Sequence, residues 1–184
     1  AQTDALTGLP NGRALYARLD QELAQAAEPG SSLTVLCFNL TGLRAVNEFF
    51  GYQAGDRMLA EVAGQLRQEV GESGTLCRIA GDEFICLLTD SSQDEAIRMG
   101  EQAQKRISSF RLEVRPEQYA HVGLNVGAAR FPTNGSSADE LLHAASVASR
   151  QIRATRVEGQ TISQPHSPAA YQQRAQSGPL ALVR

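Results

Sequence analysis

Residues 75–88 read TLCRIAGDEFICLL. Two apolar runs, Thr75 to Ile79 and Glu83 to Leu88, are joined by a tight turn through Ala80, Gly81 and Asp82, which predicts a β-hairpin. Asp82 and Glu83 follow each other directly at that turn, so negative charge is concentrated at a tip, and a divalent cation would relieve the repulsion. A plainer reading also stands, in which Gly81 and Asp82 only make the turn and Glu83 is solvated.

Working outward, Leu33 to Leu40 is apolar on both alternating faces, as expected of a strand covered on two sides within an α/β sheet. It stops at Asn39, Thr41 and Gly42. Polar groups at the carboxyl end of a strand just before a helix lie where open α/β sheets bind ligands, although Asn39 also suits a capping or side-chain hydrogen-bonding role. Leu15, Leu19 and Leu23 mark one face of a first helix that ends near Pro29 and Gly30. A short helix is predicted over Leu43 to Phe50, and a longer one follows Gly55, with Met58, Val62, Leu66 and Val70 on its buried face. Ser92 with Glu95, and Ser137 with Glu140, have the spacing of capping boxes and open helices toward Phe110 and over Leu141 to Arg156. Ala120 to Phe131 is the last strand. The fold class is α/β (α+β), with a mixed sheet flanked by helices. From Glu158 the chain turns to Gln, Ser, Pro and Ala without periodicity and reads as a linker or docking tail over 161–184.

Composition narrows the function. Across 184 residues, 20 acidic against 17 basic residues give a formal charge of -3, so no surface for generic nucleic-acid binding is expected. Lys105 is the single lysine and no glycine-rich loop precedes it, which excludes a Walker-type nucleotide site. Cys37, Cys77 and Cys86 sit in apolar runs and read as buried thiols of a reducing compartment. No stretch is long enough for a membrane span, so membrane contact by this domain is not expected. The location read from these features is cytoplasmic, or the cytoplasmic part of a larger membrane-bound protein, and Ala1 suggests a piece cut from something longer.

Asp4, Leu6, Thr7, Gly8, Leu9, Pro10 and Asn11, then Asn47 and Glu48, then Gly51, Gly55 and Asp56, and finally Arg78 with Ala80, Gly81, Asp82, Glu83 and Phe84 resemble, in order and spacing, the GGDEF family of diguanylate cyclases. The resemblance covers about Asp4 to Gln160, within a domain placed at 1–160. It implies a nucleotide-cyclase-like fold with a mixed five-stranded sheet, and active members that condense two GTP into cyclic di-GMP across an antiparallel dimer. In such chemistry a 3′-hydroxyl attacks an α-phosphorus while pyrophosphate leaves, so catalysis is positioning plus neutralisation of charge by cations.

Carried over residue by residue, the resemblance assigns catalytic roles to Asp82 and Glu83, and metal positions (Mg²⁺ or Mn²⁺) to Asp82, Asn39 and the Leu40 carbonyl. Asn39 is the main departure, because an amide replaces a carboxylate beside hard cations, and Thr41 removes a further acid. The site is therefore read as weak or vestigial. Ala80 replaces a glycine and obstructs only if its φ must be positive or the nucleotide approaches closely. Gly42, Leu43, Arg44 and Arg153 fall at phosphate positions, while Val157 stands where a second cation is usual. Ser146, Ser149 and Arg150 replace the usual Asp, Leu and Tyr, and a solvated arginine face over Arg150, Arg153 and Arg156 is the alternative there.

Asn47 and Asp56 match guanine-binding positions, or else serve as local helix caps. The family's product-inhibition site falls on Gly71 and Gly74, so feedback by cyclic di-GMP is not expected. The leading expectation is a degenerate GGDEF domain, regulatory, GTP-binding or protein-interacting, beside sensor and EAL-type domains and with homodimerisation open. A weakly active cyclase and a pure interaction domain without nucleotide are the alternatives.

Overall fold

The computed structural model describes residues 1–159 and 181–182, with side chains through Gln151. In chain order its elements are α1 (Gly12–Ala26), β1 (Leu33–Thr41), α2 (Leu43–Phe50), α3 (Tyr52–Val70), β2 (Thr75–Ala80), β3 (Glu83–Thr89), α4 (Gln93–Ser109), β4 (Leu112–Arg115), β5 (Gln118–Ala120), β6 (Gly123–Phe131), α5 (Ala138–Gly159) and β7 (Ala181–Leu182). The main sheet has five strands in the order β2-β3-β1-β6-β7. Its pairs are antiparallel except β6 with β7, which is parallel and makes the sheet mixed.

The hydrophobic effect divides along the pleat. All nine residues of β1 are buried. Leu36, Phe38 and Leu40 point into a core shared with Val46 of α2, Met58, Val62 and Leu66 of α3, and Ile107 of α4. Leu33, Val35 and Cys37 point the other way, into a core with Leu15 and Leu19 of α1 and Leu141 and Ala145 of α5. Successive residues of a strand face opposite sides, so a strand apolar at every position needs helices on both. Helix α5 lies so close to β6 that a Cβ on Gly127 would overlap the Ala145 carbonyl oxygen and the Ser149 amide nitrogen.

Four expectations change. Helix α3 begins at Tyr52, not after Gly55, because Gly51 at φ 95° is the break. The strand expected over 120–131 is interrupted at His121 and Val122, and its first part, β5, pairs with β4 in a separate hairpin. No glycine marks that hairpin in the sequence, because Glu117 takes the left-handed position of its turn, at φ 62°. Helix α5 extends beyond the predicted 141–156 at both ends. The fifth strand comes from within the stretch read as linker or tail, where Ala181 pairs with Gly127; 160–180 and 183–184 lie outside the described residues. The three cysteines are buried and free, as predicted. Among the described residues, no helix is long and apolar enough to cross a membrane.

The candidate nucleotide and metal site

The hairpin tip and the end of β1 meet. Asn39 stands in register between Glu83 of β3 and Asn125 of β6, and it is 3% exposed. The Leu40 amide donates to the Asp82 carbonyl at 2.9 Å. Asn39, Leu40, Asp82 and Glu83 are thereby brought to one end of the sheet, with Thr41 buried beside them. Ala80 closes the turn opposite Glu83, and of the turn residues only Gly81 takes positive φ, at 52°. The methyl group of Ala80 therefore imposes no backbone strain.

A clasp at the N-terminus fixes the tip from outside. Arg78 Nη1 donates to both carboxylate oxygens of Asp4 at 3.1 and 3.0 Å, while its Nε and Nη2 donate to the Gly81 carbonyl at 3.2 and 2.9 Å. The Thr7 amide and hydroxyl also donate to Asp4 Oδ2. Burial acts to raise the Asp4 pKa, but the Thr7 hydrogen bonds and the Arg78 guanidinium outweigh it and hold it below its ordinary value. A depressed carboxyl contributes stability above its unfolded pKa and loses it as pH falls through the folded one. Asp4→Asn should thus flatten the acid limb of the stability curve below about pH 4. Arg78→Ala should cost about 2 kcal/mol at neutral pH, and urea titration across pH measures both.

Glu83 is held on the α5 side of the sheet. Its Oε1 accepts from Cys37 Sγ at 3.0 Å and from Ser146 Oγ at 2.9 Å. Burial, reinforced by the Glu83 charge, pushes the Cys37 thiol well up, which keeps its proton available to donate. Tyr16, Ile79, Leu142, His143 and Arg150 border a cleft of ≈ 640 Å³ that reaches Glu83 and Ser146.

On the other side of the site, Gly42 takes the left-handed conformation (φ 91°) that turns β1 into α2, with Leu43 the first helical residue. Arg44 projects from α2, its side chain 88% exposed, and Nε donates to Glu48 Oε1 at 2.9 Å. A surface pair of that kind is worth a few tenths of a kcal/mol, so the guanidinium is cheap to redirect. Asn47 lies against Gly55, where a Cβ would overlap its side-chain amide. Glycine is thus required one turn into α3 to seat Asn47, and Asp56 follows it exposed. Arg153, Arg156 and Val157 lie in α5, but their side chains are outside the described residues.

Gly71 (φ 54°, ψ -133°) and Gly74 join α3 to β2. A Cβ on Gly74 would stand 2.7 Å from the Leu87 carbonyl oxygen and 2.8 Å from Leu88 Cδ2. Among the described residues, no group of three or more His, Cys, Asp or Glu is arranged to hold a metal ion.

The family model for the GGDEF domain of diguanylate cyclases matches residues 1–158. The chain belongs to the GGDEF family. The bifunctional diguanylate cyclase/cyclic di-GMP phosphodiesterase MucR of Pseudomonas aeruginosa is 36% identical over 143 residues, covering 76% of this chain and 20% of that protein. The diguanylate cyclase DgcP of the same organism is 31% identical over 156 residues, covering 82% and 23%. This GGDEF chain thus spans about a fifth of the length of these curated relatives. Among solved structures, the GGDEF domain of TpbB from P. aeruginosa superposes with a TM-score of 0.81 at 24% identity, over 99% of this chain and 94% of that one. The GGDEF domain of DgcB from Caulobacter crescentus, solved with c-di-GMP, gives 0.77 at 21% identity, over 97% and 95%. At those identities the likeness carries the GGDEF fold.

Sequence reasoning pairs Asp82 with Glu83 and groups Asp82 with Asn39 and the Leu40 carbonyl, but it misses the anchoring of Glu83 by Cys37 and Ser146. The signal was present. Cys37 and Asn39 are two apart on one strand and share a face, and Ser146 and Ser149 are three apart on one helix.

Proposed function

We propose that this chain is a degenerate GGDEF domain that has largely lost cyclase chemistry. It acts as a regulatory, GTP-binding module in a longer cyclic di-GMP signalling protein, beside sensor and EAL-type domains. The observation that carries this reading is the buried Asn39 amide in register with Glu83 and Asn125, at the strand end where a cyclase needs a carboxylate.

The donor set that the family positions offer for Mg²⁺ or Mn²⁺ is the Asp82 carboxylate, the Asn39 amide oxygen and the Leu40 carbonyl, while Glu83 turns its Oε1 toward Cys37 and Ser146. One carboxylate suits a single ion held chiefly by a nucleotide's own phosphates, and it is too little for two adjacent divalent cations. Asn47, seated on Gly55, with Asp56 offers an amide and a carboxylate to the edge of guanine. Arg44 supplies a phosphate cation, with Gly42 and Leu43 at the start of α2 beside it, and Arg153 of α5 is the second candidate cation. Bound GTP would regulate a neighbouring domain only through different affinities for two states of the whole protein.

Calorimetric titration with GTP and Mg²⁺, followed by chromatography of the mixture, tests this. Binding that weakens at least tenfold in Asp56→Ala, without cyclic di-GMP, is the expected result. Clear turnover would establish the weakly active cyclase instead, a reading supported by the retained Asp82 at the tip. Absence of any GTP binding would leave a pure interaction domain.

A further inference from the structure

Four side chains from three elements meet beneath the hairpin, where two of them donate hydrogen bonds to Glu83. Ser149 Oγ donates to the Ser146 carbonyl at 2.7 Å and reaches Cys37 Sγ at 3.6 Å. Cys37 Sγ donates to Glu83 Oε1 at 3.0 Å, and Ser146 Oγ donates to the same oxygen at 2.9 Å. Ser149 and Cys37 are fully buried, and Ser146 and Glu83 are half-buried. A carboxylate at position 146 would face that of Glu83 and repel it.

The connection continues through the backbone. Glu83 is bonded to Asp82, whose carbonyl accepts the Leu40 amide proton. We propose that Ser146 is a positioning residue that acts through Glu83, fastening the hairpin tip to α5 so that the placement of Asp82 against the end of β1 follows the position of α5. A displacement of α5 relative to the sheet thereby reaches the nucleotide site through one side-chain hydrogen bond and one backbone hydrogen bond, a contiguous physical connection. The ligand half of this inference rests on the GTP-binding reading above; the positioning half does not.

Amide hydrogen exchange on the full chain, read residue by residue by NMR, tests the positioning half without nucleotide. In Ser146→Ala the Leu40 amide should exchange at least tenfold faster, and faster still in Ser146→Asp. Amides at the far end of β1, such as Val35, should keep their wild-type rates. Ser146→Thr, which retains the hydroxyl, should restore Leu40 protection. GTP affinity should fall at least threefold in Ser146→Ala and recover in Ser146→Thr. Unchanged Leu40 exchange in a folded Ser146→Ala protein overturns the proposal, as does equal acceleration at Val35 and Leu40, which marks general destabilisation. If the wild-type chain binds no GTP, the nucleotide reading fails while the exchange rates still decide the positioning role.

Discussion

Asn39→Asp is expected to raise cyclic di-GMP formation on the order of a hundredfold over the wild-type background in Mn²⁺, since one added anionic ligand contributes several kcal/mol at a hard-cation site. The same variant should be less stable without metal. Position 39 is 3% exposed and in register with Glu83, so a new carboxylate there is both desolvated and close to a like charge. A divalent ion bound to the folded state removes that repulsion, and its affinity adds to folding stability. Thermal melts with and without Mn²⁺ should separate by several degrees in the variant and by much less in the wild type. Thr41→Asp added to Asn39→Asp should widen the separation. A variant whose melting is indifferent to Mn²⁺ and which yields no product would refute charge loss as the block.

Gly127→Ala is the substitution expected to damage the fold most. Its Cβ would overlap the Ala145 carbonyl oxygen and the Ser149 amide nitrogen and lie 3.0 Å from the Ala148 Cβ. Two of these are backbone atoms of α5, so no rotamer change relieves the contact and the helix must lift from β6. Overpacking of this kind costs on the order of 3 kcal/mol. It should appear as a lower urea midpoint at nearly constant slope. Because α5 carries Ser146 and Ser149, lifting it should also free Glu83. A loss below about 1 kcal/mol would show that α5 can slide along the sheet instead of separating from it.

The legible parts of the fold were those in which one local pattern sufficed. The doubly apolar β1, the four-residue spacing in α1 and α3, and the capping serines Ser92 and Ser137 each depend on neighbours in sequence. Their structures follow: Ser92 Oγ accepts from the Glu95 amide and Ser137 Oγ from the Glu140 amide. Legibility failed where tertiary contact overrode local signal. Gly55 looked like a helix boundary, yet it is a helical residue kept small by Asn47. Strand β7 has two residues and exists through its pairing with β6, which no sequence period announces. The site was legible as positions and not as connections. Asn39, Asp82 and Glu83 could be named from the chain, but Glu83's partners come from residues 46 and 63 positions away.

The linker between α3 and β2 restricts what residues 71 and 74 can be. Gly71 holds a conformation that side chains rarely adopt, and at Gly74 any side chain meets the Leu87 carbonyl. An arginine at 71 and an aspartate at 74 would therefore strain the turn and crowd the start of β2, so the pair of substitutions should lower stability whatever else it provides.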